Sequence, residues 1–81
     1  PFILSWPDNN EAIYYLSKAY QTGDATPSQI VYLARAKFRD GKKTEARNLL
    51  NELIRKPFSA SEPIEDADQH RLAKELLERW Q

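Results

Sequence analysis

Residues 30–54, IVYLARAKFRDGKKTEARNLLNELI, read as two helices joined by a tight turn. Ile30, Leu33, Ala34 and Phe38 recur at intervals of three and four, which places them on one face of an α-helix. Upstream, Thr26-Pro27-Ser28-Gln29 is a start signal. Thr26 can cap the helix, Pro27 falls where a missing N–H costs nothing, and Gln29 completes a capping box. Asp40-Gly41 follows the last apolar residue, where the chain needs a left-handed residue in order to turn. The second helix restarts near Thr44, carries Ala46, Leu49, Leu50, Leu53 and Ile54 on one stripe, and stops at Lys56-Pro57. So short a connection requires the two helices to lie antiparallel.

Leu33-Ala34, Phe38, Gly41, Ala46, Leu50 and Leu53 together resemble the tetratricopeptide repeat pattern. A bulky-small pair on the first helix, an aromatic near its end, a turn glycine and a small residue at the helix crossing all occur in register. Lys37 stands where the family usually has an aromatic, and Leu53 where it usually has alanine. A shift of 34 residues carries Glu11 onto Glu45, Ala12 onto Ala46 and Leu16 onto Leu50, which is the length of one such unit. Residues 11–22 then correspond to the second helix of a preceding, partial repeat. The resemblance implies an all-α fold of antiparallel helical hairpins in a right-handed superhelix, with about four helices. It also implies a groove that receives a peptide or a helix of a partner.

At 81 residues the chain suits one small domain, able to bury about 60–65% of its unfolded surface. Twelve Lys and Arg balance twelve Asp and Glu, so no general attraction to nucleic acid or anionic membrane is expected. Arg35, Lys37, Arg39, Lys42, Lys43 and Arg47 do gather half of the basic residues into the hairpin. Few aromatics are interleaved for base stacking, so nucleic acid is a poor expectation there. Cysteine is absent, which rules out disulfides and cysteine-based metal sites. No apolar run approaches the roughly 20 residues of a membrane span, so a soluble chain is expected, and nothing points to a compartment. The lack of methionine suggests a piece of something longer.

The pattern predicts helices over 8–22, 27–40, 44–56 and 62–80, after an extended arm over 1–7. The arm, PFILSWP, is apolar and bracketed by prolines. It either folds back over an exposed helix face or docks into a second molecule by self-association. The first helix opens with a second capping box, Asp8 to Glu11, and sets Ala12, Ile13, Leu16, Ala19 and Tyr20 inward. Tyr14 and Tyr15 cannot both join that stripe. In the last helix Ser61 is the expected cap, Pro63 lies in the first turn, and Leu72, Ala73, Leu76, Leu77 and Trp80 share a face. Acids crowd its start and Lys74 and Arg79 its end, the order that the helix dipole favours.

Little in the chain suggests catalysis. His70 is the only histidine, and Asp66 four residues earlier is one possible co-ligand. With no third ligand in sequence, no metal or other cofactor is expected, and both residues are assigned to a solvated first turn. The two glycines are used at helix ends, leaving no phosphate loop, and no serine has a catalytic partner set. The functional expectation rests instead on Tyr32, Arg35 and Arg39, spaced three and four apart on the first hairpin helix beside Ser28 and Val31. In the proteins that the hairpin resembles, that face lines the groove, so the arginines would grip an acidic segment or a C-terminal carboxylate. The competing expectation is a structural piece of a larger enzyme or of a secretion or assembly component, serving as a C-terminal cap or in oligomerisation.

Overall fold

Thr26 sets the start of the central helix, and the hairpin is built from that point. In the computed structural model, which describes residues 9–57 and 62–80, the threonine hydroxyl accepts the backbone N–H of Gln29 at 3.2 Å. The Gln29 side chain in return accepts the backbone N–H of Thr26 at 2.9 Å. This capping box satisfies two of the N–H groups that a helix start leaves without partners. The chain forms four helices: α1 (Asn9–Gln21), α2 (Pro27–Arg39), α3 (Lys43–Arg55) and α4 (Pro63–Arg79). No strand occurs among the described residues.

The first two turns share one chemistry. At the end of α1, Gly23 has φ +82°, its N–H reaches the Tyr20 carbonyl, and the Asp24 N–H reaches back to Ala19. At the end of α2, Gly41 has φ +87°, its N–H reaches Phe38, and the Lys42 N–H reaches back to Lys37. Both are Schellman endings, in which a left-handed glycine lets two carbonyls of the last turn find donors. α3 stops at Lys56, whose ψ of 144° is the extended conformation that a following proline imposes. α4 starts with Pro63 at its first position, and its cap residue, Glu62, makes no side-chain cap bond. The expected caps Asp8 and Ser61 lie outside the described residues, as does the arm at 1–7.

α2 is the axis of the assembly. Its backbone lies close to α1, α3 and α4, whereas the backbone of α1 lies close to α2 alone and reaches α3 through side chains such as Tyr20. Three-sided packing explains why its buried set, Ile30, Val31, Leu33, Ala34 and Ala36, is wider than a single stripe. Ala34, Ala36, Ala46 and Ala73 are wholly buried, and these small side chains let the helix backbones approach closely. Leu33, Leu50 and Leu53 fill the centre. Each contributes roughly 1.5–3 kcal/mol by leaving water.

Side-chain contacts give the helix directions. Asn9 at the start of α1 donates its Nδ2 hydrogen to the Ala36 carbonyl near the end of α2, and Lys37 of α2 pairs with Glu45 at the start of α3 at 2.7 Å. Successive helices are therefore antiparallel there. α1 and α3 run the same way, joined near their C-terminal ends by a hydrogen bond from Tyr20 to Glu52. α2 and α4 also run the same way, since their first turns face one another and their last turns share a depression.

Candidate partner-binding site

The last turns of α2 and α4 meet around an aromatic pair, and this is the candidate site. Phe38 and Trp80 stack at 4.1 Å between ring centroids, with 11° between their planes. Around this aromatic pair an open depression of about 190 Å³ is lined by Arg35, Phe38, Arg39, Leu76, Arg79 and Trp80. The helical repeat places Arg35 and Arg39 one turn apart on α2. The parallel course of α4 adds Arg79.

None of these three guanidinium groups has a hydrogen bond or an ion pair among the described residues. The acids near the hairpin turn are engaged elsewhere. Glu45 pairs with Lys37, which holds its carboxyl below the usual carboxylate range through that hydrogen bond and the charge of Lys37. Asp40 lies 3.8 Å from the ammonium of Lys42. Lys43 sits over the Phe38 ring, 5.5 Å from its centroid, adding another cation beside the aromatic pair. In a chain of zero net charge, the charged residues that line this depression are all arginines, set beside an aromatic pair.

The structure divides the five residues expected to bind a partner. Arg35 and Arg39 are exposed and share the depression. Tyr32 is half-buried and packs against the core. Val31 is 3% exposed, which corrects its expected place on an open face. α4 and the neighbouring helices cover more of α2 than its apolar spacing alone shows. Ser28 sits at the far end of α2, its hydroxyl 3.2 Å from that of Thr26, in a separate depression beside Glu62, Glu65 and Asp66. There Glu65 is pushed above the usual carboxylate range, chiefly by its hydrogen bond with Glu62 and then by the charge of Glu62. Arg79 and Trp80 were not picked out as site residues by sequence. The only signal was the apolar stripe ending at Trp80, which shows burial and not the identity of the neighbours.

A second correction concerns His70 and Asp66, expected in a solvated turn. They are 5% and 6% exposed respectively. The turn faces α2 and α3, so its inward positions are covered. Among the described residues no group of three or more His, Cys, Asp or Glu side chains could hold a metal ion, and no helix is long and apolar enough to cross a membrane. No protein-family model, curated protein or solved structure matches the chain.

Proposed function

We propose that this protein is a non-catalytic interaction module of tetratricopeptide type, whose α2–α4 groove receives an acidic or carboxylate-terminated segment of a partner protein. One observation carries the reading: among the described residues, Arg35, Arg39 and Arg79 meet in one open depression whose lining includes no carboxylate. A guanidinium presents its donors in a planar fork that matches both oxygens of a carboxylate. Phe38 and Trp80, half-buried and lining the same depression, supply apolar surface for the rest of the bound chain. The pairing of α2 with α4 on one side and α1 with α3 on the other supports the repeat-type reading.

The test is fluorescence polarisation with labelled acidic peptides, free and amidated at the C-terminus, against wild type and an Arg35→Glu, Arg39→Glu double variant. Circular dichroism establishes that the two proteins are equally helical. The expected result is binding that weakens with salt and falls by at least about tenfold in the variant. Equal binding by both proteins rejects the groove. No binding, together with a wild-type dimer in sedimentation, favours the structural or oligomerisation role instead.

A further inference from the structure

α1 leans on one helix. Its inward side chains Ala12, Ile13 and Leu16 are buried, and its backbone lies close to that of α2 alone. Helical spacing of three and four carries Glu11, Tyr14, Tyr15 and Lys18 along a single stripe on the opposite side. All four are exposed, the tyrosines by 53% and 52%. The two rings meet edge to face at 5.1 Å between centroids, and the ammonium of Lys18 lies 4.5 Å from the centroid of Tyr14. An aromatic pair is thus displayed between an acid at one end and a base at the other.

The order of the stripe is self-complementary. Glu11 lies three residues before Tyr14 and Lys18 three residues after Tyr15, so a two-fold axis placed between the tyrosines carries each end of the stripe onto the other. Within one chain the two charges are too far apart to meet, at seven residues or about 10 Å along the helix. Charge pairs on a helix surface lie three or four residues apart, and at that spacing Lys18 finds only Tyr14, Tyr15, Gln21 and Thr22. Neither Glu11 nor Lys18 has an ion pair among the described residues.

We propose that α1 pairs antiparallel with α1 of a second copy of this chain, Glu11 of each copy meeting Lys18 of the other. Between the two ion pairs the tyrosines of both copies come together, their rings losing water while the hydroxyls stay wet at the edge. A second copy supplies both charges at the required spacing, whereas a different protein has no need of this symmetry. One helix face per copy is a small interface, below about 1,200 Å², so the dimer is weak and reversible. None of the four residues lines the α2–α4 depression, so pairing and peptide capture are separable.

The experiment is sedimentation equilibrium of the whole chain at low salt, from about 10 μM to about 1 mM, with circular dichroism to establish equal helix content. The wild type is expected to reach half-dimerisation within this range. Glu11→Lys and Lys18→Glu each set like charges against one another across the axis and should weaken association by at least about tenfold. An equimolar mixture of these two variants restores opposite charges at both ends of the stripe, and its association should return toward the wild-type strength. A wild type that stays monomeric throughout leaves the stripe to a different partner and overturns the proposal. Variants that dimerise as well as the wild type place the contact elsewhere, for instance on the arm at 1–7, and also overturn it. A mixture that associates no better than its components rejects the antiparallel register. Should a charge variant lose helix, Tyr14→Ser, which alters one exposed ring, should dissociate the dimer, and undiminished association would reject the stripe.

Discussion

Phe38 near the end of α2 and Trp80 just after the end of α4 lie face to face, 4.1 Å apart and 11° from parallel. The pair closes the bundle at the end where α2 and α4 finish together, and it forms the floor beside which Arg35, Arg39 and Arg79 gather. Stability and site thus share one contact. Trp80→Ala removes a half-buried indole and its stack, and the expected loss of unfolding free energy is about 2–3 kcal/mol. Trp80→Phe retains part of the stack and should cost less than half of this. Urea denaturation of the three proteins measures both.

Gly41 has φ +87°, yet an added β-carbon would meet nothing within 4 Å. The cost of a side chain there is therefore conformational rather than steric crowding by neighbours. Gly41→Ala should destabilise by about 1 kcal/mol, and Gly41→Val by more, because a β-branched residue tolerates the left-handed region worst. Thermal denaturation of the two variants gives the order. Equal melting temperatures for wild type and both variants would contradict the Schellman assignment.

The Thr26 and Gln29 side chains satisfy one another's backbone N–H groups. Thr26→Ala should lose about 1 kcal/mol and Gln29→Ala a smaller amount. The double variant should lose less than the sum, because each bond helps to hold the geometry of the other. A double-mutant cycle by urea unfolding reads this directly.

Tyr20 donates its phenolic hydrogen to Glu52 across the gap between α1 and α3. That hydrogen bond, followed by burial and the carboxylate charge, raises the phenol from 10.0 to about 12. The folded state favours the protonated phenol, so the link is complete below about pH 10 and lost as pH rises through about 12. Titration of phenolate absorbance should show a late-titrating tyrosine that is missing in Tyr20→Phe. In Glu52→Gln, Tyr20 should titrate earlier than in the wild type. An unchanged late phase in Glu52→Gln would rule out the bond as its cause.

The start of α2 and the ends of α1, α2 and α3 were legible in sequence because their signals are local. The Thr26 to Gln29 box, the glycines at 23 and 41 and the proline at 57 each act within one turn of the residue that they cap or stop. The inward stripe of α3 was equally plain, since Ala46, Leu49, Leu50 and Leu53 repeat at helical spacing and all four are buried. The charge of the hairpin was visible too, and with it Arg35 and Arg39.

What the tertiary structure decided is which distant residues join them. Val31 is buried because three helices pack around α2. His70 sits between two carbonyls because α4 returns across the end of α3. Arg79 and Trp80 complete the depression because α4 runs parallel to α2. Periodicity specifies the inward face of a helix through contacts three and four residues apart. The neighbour against which that face packs depends on the course of the whole chain, and no local spacing encodes it.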